Sequence, residues 1–417
     1  MRLSKIAWRN IFRNKRRTFL SMIAIAVASM GIVLLFGIID WMKEDMRNNL
    51  FNFYTGQIRI RNKKYDAYEN MSPLHLKIDN ANDLIRDLSR IHGIEAISPR
   101  INFNAVYVDS ESEMKGVYCK ALDFEREKAY SEIQRYLQKG RLPLSDRKEV
   151  AITPYLLKKF RLKIGNTVTL LSHTASYGSN AMSFKVVGIV QFPINGMNKA
   201  LYLPLDIAQR FLRMRSKGSN RFDAVTEILI KIKPKFKESP VLNNIKSVID
   251  RGTNKTLKAV LWRDIKSGYS IIRMADIVYN IISFFFFVLG SSVIMNTTIM
   301  VIYERMREIG TMSALGMEGS ELIRIFFLES LYISIIGSFF GVAIGWGISY
   351  LLSIHGIDMS GAVSGISIEF SNIYYLKPTV KSLLIIFCYS VGIASLASFF
   401  PSRKAVKLDP VEALRSV

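Results

Sequence analysis

Residues 304–316 read Glu-Arg-Met-Arg-Glu-Ile-Gly-Thr-Met-Ser-Ala-Leu-Gly, a short, charged, glycine-punctuated segment set directly between two long apolar runs. That placement puts the segment against one face of a membrane. Wound as a helix, it carries Ile309, Met312 and Leu315 on one side and keeps Arg305, Arg307 and Glu308 on the other, with Gly310 and Gly316 as punctuation. Such an element can seat its apolar side in a partner's groove. It can equally be a cytoplasmic loop whose basic residues only fix topology.

The flanking runs decide the class of protein. A helical span needs roughly 20 mostly apolar residues. Residues 19–39, 271–302, 322–352 and 380–400 all meet that requirement. Of the 417 residues 49% are hydrophobic, and 57 Lys and Arg against 34 Asp and Glu leave a net charge of +23. A basic excess is the usual footprint of phosphate binding, but its placement here argues against nucleic acid. Arg2, Lys5, Arg9, Arg13, Lys15, Arg16 and Arg17 precede the first run. Arg305 and Arg307 lie between the second and third, and Arg403, Lys404, Lys407 and Arg415 follow the last. By the positive-inside rule these flanks are cytoplasmic, so both termini are expected there and the long insertion outside. The basic residues of the insertion read as solvated surface, which would also suit anionic headgroups or an acidic partner.

Residues 2–17 set Leu3, Ile6, Ala7, Ile11 and Phe12 against a basic face, the pattern of an interfacial amphipathic helix. Ala-x-Ala pieces at residues 24–28 imitate a signal-peptide cleavage site. The apolar run continues through Gly31, Leu35 and Ile39, so an uncleaved anchor is expected. Cys119 and Cys388 fall in different environments, and His75, His92, His173 and His355 lack zinc-ligand spacing. No Gly-x-x-x-x-Gly-Lys-Ser/Thr loop occurs, so ATP hydrolysis is assigned to none of these residues, and the chain is expected to be a non-catalytic subunit.

The expected organisation is a cytoplasmic interfacial helix (1–18), a first span (19–39), an extracytoplasmic α/β domain with stalk helices (40–270) and a second span (271–302). A cytoplasmic coupling loop (303–321), a third span (322–352), a short outer loop (353–379), a fourth span (380–400) and a cytoplasmic tail (401–417) complete it. Helical periodicity over 40–53 and 262–276 predicts the stalks. Within the insertion, strands are predicted at 57–61, 105–108, 115–119, 167–172, 184–192, 200–203 and 227–232. Helices are predicted at 82–91, 124–138, 154–160 and 205–214.

Three further groups of residues invite a functional reading. Gly337, Gly341 and Gly345 recur every four residues and line one helical face, either for packing inside one subunit or for a seam between two. Phe284 and Phe285, in a run of four phenylalanines, are candidates with Ile39, Met42 and Ile281 to line an acyl-chain cavity between the first two spans, against the alternative of lipid-facing residues. Residues 173–183 join two strand-like runs and predict an exposed hairpin tip that includes His173, Tyr177, Gly178 and Met182. Arg324 and Glu329 sit near the cytoplasmic end of the third span, where charge needs a partner.

Glu308-Ile309-Gly310 and Ala314-Leu315-Gly316 resemble pieces of the coupling segment of the FtsX/MacB/LolC-type ABC-transporter permeases. Pro401-x-x-x-Ala405 and Asp409-Pro410-Val411-Glu412-Ala413-Leu414 resemble that family's closing motif, and residues 161–168 and 184–190 resemble its periplasmic core. The resemblance implies an α-helical membrane protein with four transmembrane helices and a large mixed α/β extracytoplasmic domain inserted between helices 1 and 2. It implies a mechanotransmitting permease of the bacterial inner membrane, working with a second permease copy or paralogue. Glu304, Arg307, Glu308, Ile309, Gly310, Thr311, Ala314, Leu315 and Gly316 would then dock on a cytoplasmic ABC ATPase dimer, which binds the ATP and Mg, with no cofactor in this chain. The LolC/LolE branch is the preferred likeness. It implies a lipoprotein substrate drawn from the outer leaflet and a soluble periplasmic carrier received at the 173–183 loop. Drawing acyl chains from lipid needs work, since each buried methylene holds them by about 0.8 kcal/mol. The alternatives are a MacB-like exporter of peptides or antibiotics, and an FtsX-like scaffold that signals to a cell-wall hydrolase.

Overall fold

Helix α1 (Arg2–Arg13) buries Ala7 and Ile11 and leaves its basic face outside, as an amphipathic pattern requires. The computed structural model describes residues 2–13, 15–108, 114–193, 196–219, 221–251, 256–303, 311–312, 315–358 and 373–406. Helix α2 (Lys15–Leu50) then runs without a break, and a π-helical turn over Phe51–Thr55 extends it. The expected first span and stalk are therefore one helix, because no proline interrupts them and Asp40 is used elsewhere. Gly56, at φ +64°, ends it: an added Cβ would lie 2.9 Å from the Ile58 carbonyl and 3.1 Å from the Tyr130 hydroxyl.

The chain forms two compact units. The unit built of Asp45–Arg273 and Gly365–Ser371 carries a ten-stranded sheet. Its first members are β1 (Ile58–Asn62), α3 (Ala81–Ser89), β2 (Ile94–Val108), β3 (Met114–Leu122), α4 (Phe124–Tyr130) and β4 (Leu137–Gly140). They are followed by β5 (Glu149–Ile152), α5 (Pro154–Phe160), β6 (Thr167–His173), β7 (Ser179–Val190), β8 (Ala200–Pro204) and α6 (Leu205–Phe211). The last are β9 (Glu227–Ile232), α7 (Glu238–Arg251) and β10 (Leu257–Leu261). The strand order is β10-β1-β9-β2-β3-β8-β5-β7-β4, with β6 bridging β2 and β7. Only β3–β8 and β5–β7 among these pairings are parallel.

Several elements differ from the sequence expectation. Strand β2 begins at Ile94, eleven residues before the predicted start at 105; Ser98, Arg100, Asn102 and Asn104 alternate there with Ile97, Ile101 and Phe103, and Pro99, a residue that argues against a central strand, lies within the run. The helix predicted over 124–138 stops at Tyr130. Glu132 adopts φ +52°, a 3₁₀ turn covers Ile133–Tyr136, and β4 follows. Strands β5 and β10 and helix α7 were not anticipated. Helix α5 matches its predicted bounds, with Pro154 at the first helical turn, where a missing N–H costs nothing.

One core lies on the face formed by Ile58, Ile60, Ile101, Phe103, Leu201 and Phe184, with Phe211 from α6 closing it. A second gathers Phe53, Phe192, Tyr202 and Met197. The strand Ile58-Arg59-Ile60-Arg61 alternates as predicted, yet its arginines are buried. Arg61 donates to Glu227 and, at 2.7 Å, to Glu69, while Arg59 reaches Asp66 at 3.1 Å. The reading of the insertion's basic residues as solvated surface is corrected at these positions, since the 3₁₀ segment Tyr65–Met71 brings its carboxylates onto them.

The other unit, Met1–Glu44, Met274–Ser364 and Asn372–Val417, is helical. Besides α1 and the first part of α2, it holds most of α8 (Lys266–Tyr303), then α9 (Gly319–His355) and α10 (Val380–Val406). Four of its helices are long and apolar enough to cross a membrane. Phe36 meets Phe287 at 4.8 Å between ring centroids, and Phe287 meets Tyr389 at 4.2 Å, tying α2, α8 and α10 together. Asp40 Oδ2 accepts hydrogen bonds from the Thr379 N–H at 3.1 Å and the Ser382 hydroxyl at 2.7 Å, so a carboxylate of α2 caps the start of α10. A two-residue ladder pairs β11 (Ile357–Asp358) with β12 (Ile373–Tyr374).

Burial alone would raise the Glu227 carboxyl, but Arg61 and, behind it, Arg59, Arg100 and Lys120 hold it at about 2. The folded value lies below the unfolded one near ~4.3, so the stabilisation is present above that pH and fades as pH falls towards the folded value. The thermal midpoint of the purified chain is expected to drop steeply as the solution is acidified through this window. Glu227→Gln should start lower and lack that slope; an equal slope in both proteins would place the acid sensitivity elsewhere.

Candidate functional site

The part of the coupling segment that the structure describes is a helical turn that ends in glycine. Leu315 N–H donates to the Thr311 carbonyl at 3.1 Å, Met317 N–H to Met312 at 3.2 Å, and Gly316 takes φ +88°. That left-handed position closes a helix end at no steric cost to glycine. Leu315 is left 88% exposed, an apolar knob on a shaped turn just ahead of α9. Glu304, Arg307, Glu308, Ile309, Gly310 and Ala314 lie outside the described residues.

Gly337, Gly341 and Gly345 are all buried and face α2 of the same chain. An added Cβ would come within 2.9 Å of the Met22 carbonyl oxygen at Gly337, 2.3 Å of the Ala26 carbonyl oxygen at Gly341 and 2.9 Å of Val33 Cβ at Gly345. Backbone therefore meets backbone at Gly337 and Gly341, the contact that small residues permit between membrane helices, while Gly345 receives the Val33 side chain. In the single chain the stripe is filled by α2. Glu329 is buried on the same helix, whereas Arg324 is exposed.

The residues proposed for an acyl-chain cavity differ in exposure. Ile39 is buried and Met42 half-buried, while Ile281, Phe284 and Phe285 are 51%, 64% and 61% exposed. Phe287 is the ring of that run that turns towards α2. In the hairpin, His173, Tyr177 and Gly178 are exposed at the tip, but Met182 lies within β7, paired with Leu170 and packed on the core. The tip is shorter than predicted because Ser179–Ser183 continue the β6–β7 ladder.

Sequence reasoning missed the cluster that holds the end of α2. The last carbonyls of a helix have no partner within it, and here those of Asn52 and Phe53 are met by side chains of β2 and β3, while that of Phe51 accepts from the Gly56 N–H at 3.1 Å and also from α4. Arg100, only 1% exposed, donates to the Asn52 carbonyl at 2.7 Å and the Phe53 carbonyl at 3.1 Å. Lys120 Nζ donates to the Phe53 carbonyl at 3.2 Å, and the Tyr130 hydroxyl to that of Phe51 at 3.0 Å. Cations at a helix C-terminus also complement its dipole. Glu127 balances the charge, accepting from Arg100 Nε at 2.8 Å and from the hydroxyls of Ser98 and Ser131. Burial opposes the Arg100 charge but Glu127 outweighs it, and burial brings the Lys120 ammonium down to about 8. The available signal was a cation in each of two strands, Arg100 between Pro99 and Ile101 and Lys120 between Cys119 and Ala121.

Residues 18–248 match the family model described as the MacB-like periplasmic core domain, and residues 280–410 match the FtsX-like permease C-terminal. A probable export ATP-binding/permease protein MacB of Pseudomonas entomophila is 21% identical over 98% of this chain and 58% of its own length. An uncharacterized ABC transporter permease of Methanocaldococcus jannaschii is 22% identical over 98% of this chain and 96% of its own. The ABC transporter permease YtrF of Bacillus subtilis is 35% identical over 29% of this chain and 28% of its own. The chain thus spans little more than half of that MacB protein and about a quarter of YtrF.

Three substitutions test these contacts, one of them a control. Gly341→Leu should lower the unfolding free energy of the purified chain by ~3 kcal/mol, at the upper end of overpacking costs, while Gly347→Ala, with open space around it, should change little. Equal stability of the two variants would show that the stripe is not seated on α2. Arg100→Met leaves the buried Glu127 carboxylate without its cation and the Asn52 carbonyl without its arginine donor, while Phe53 keeps Lys120, for an expected loss of about 3–5 kcal/mol. Amide exchange at residues 51–56 should accelerate with it; unchanged protection there would mean that the arginine does not hold the helix end.

Proposed function

We propose a function from one premise: this chain belongs to the family of the MacB-like periplasmic core domain. It is an ABC transporter permease of the FtsX/MacB type, with four apolar helices and a mixed α/β domain. Its work is export of an amphiphilic molecule, powered by an ABC ATPase that engages the segment around Leu315. The helices sit in the cytoplasmic membrane with both termini inside and the sheet domain outside, and a second copy or paralogue completes the pathway.

The observation that carries this reading is the alignment of nearly the whole chain with a protein named for export. Other relatives are named for export of macrolides and of syringafactin. Lipoprotein release, the preferred likeness of the sequence, draws no support from these relatives beyond the shared family, so export stands ahead of it. The geometry suits a mechanical role. Helix α2 has 36 residues and α8 has 38, which gives each a length of about 55 Å, against a hydrocarbon core of about 30 Å. Movement at a cytoplasmic contact therefore has rigid elements along which to travel, and the cluster around Arg100 fixes the end of one of them in the sheet.

Deleting the gene separates the readings. Export predicts a several-fold gain in sensitivity to macrolides or lipopeptides, or their retention in cells, with lipoproteins still correctly sorted between membranes. Rapid build-up of mature lipoproteins in the cytoplasmic membrane, with drug and lipopeptide handling unchanged, would instead return lipoprotein release to first place.

A further inference from the structure

A cavity of about 670 Å³ opens in the sheet domain between residues 64–76 and the turn that joins β6 to β7. Its volume lies within the roughly 300–1,000 Å³ usual for small-molecule sites. Tyr68, Met71, His75 and Tyr177 form its walls and Phe103 lies in its lining. The lining contains no aspartate or glutamate, and its charged residue is the exposed Lys64.

Both walls are held in place without a ligand. On one side Arg61 binds Glu69, anchoring the 3₁₀ segment, and Leu76 N–H donates to the Pro73 carbonyl at 3.1 Å. On the other, Thr174 is buried, its N–H donates to the Gly178 carbonyl at 2.7 Å, and Ala175 N–H donates to Leu212 at 2.9 Å. Fixed walls would ordinarily turn apolar groups inward, yet Tyr68 is 53%, Met71 76% and Tyr177 78% exposed. Tyr177 also stands at φ +62°, a conformation that glycine or asparagine adopts more readily, and its ring stacks on His75 at 5.4 Å. The carboxylates nearest in sequence to Lys64, those of Asp66 and Glu69, are drawn onto Arg59 and Arg61.

We propose that this cavity binds a small anionic amphiphile, whose apolar body lies against Tyr68, Met71 and Tyr177 and whose acid group is met by Lys64. The wall geometry is preformed, so little ordering cost accompanies binding. The absence of any carboxylate from the lining selects against cations. The inference goes beyond export: binding to the purified chain requires neither an ATPase nor transport.

The test uses the full chain in lipid nanodiscs with three photoreactive probes, a diazirine-bearing dodecanoic acid, its alcohol and its amine. Cross-links located by peptide mass spectrometry are expected within residues 64–76 and 172–177, with the acid labelling those peptides about fivefold more than the amine. Tyr177→Ala should reduce that labelling about fivefold. Lys64→Glu should reverse the preference between acid and amine, and this surface change keeps the test decisive if the tyrosine variant misfolds. Labelling confined to the apolar helices, equal labelling by acid and amine, or no response to either substitution in folded protein would overturn the proposal.

Discussion

A helix that ends inside a folded domain leaves its last carbonyls without partners, and much of the sheet domain is arranged around that need. Helix α2 cannot simply fray into water at residues 51–53, because Phe53 is buried among Phe192, Met197 and Tyr202. The sheet therefore supplies donors from β2, β3 and α4, namely Arg100, Lys120 and Tyr130. Gly56 then lets the chain turn sharply into β1. Each donor comes from a different element, so the helix end is fixed only when those elements are together.

Placing cations there has its own requirement. Removing a charge from water costs several kcal/mol, and a buried pair at best roughly returns that cost. Glu127 beside Arg100 and Glu227 beside Arg61 are therefore conditions for burying the arginines more than sources of net stability. What the arrangement supplies is direction. A planar guanidinium can hold two carbonyls and a carboxylate at once, which an ammonium cannot do with the same geometry. Lys120, by contrast, reaches the Phe53 carbonyl as a single point charge.

Where one face of an element is apolar and the other wet, its periodicity was readable. Helix α5 has the bounds that its residues predict, and β6, whose residues alternate between buried and more exposed, matches to within one residue. Strand β2 alternates as well, but Pro99 stands inside it, and its polar positions also point into protein, where Arg100 and Asn102 meet buried carboxylates. Spacing alone placed Gly337, Gly341 and Gly345 on one helix face, but only three-dimensional contact identifies α2 as what they meet. For the same reason the exposed Tyr177 was legible as a loop residue, whereas the cavity it shares with Tyr68 joins segments a hundred residues apart. Local pattern carries element identity; burial on both faces and long-range pairing are set by parts of the chain that no local window contains.

The two chain segments that connect the sheet to α2 and α8 are neighbours. Strand β1, which follows α2, pairs antiparallel with β10, which precedes α8, and Ile58 stands opposite Leu261 at the end where both connections leave. Trp262 N–H closes that end on the Gln57 carbonyl at 3.1 Å. A load that drew the two connections apart would open this ladder like a zipper, one hydrogen bond at a time from the Trp262–Gln57 closure. A load that drove both in the same direction would instead be shared by every strand in the sheet. The domain is thus built to yield to separation and to resist a common push.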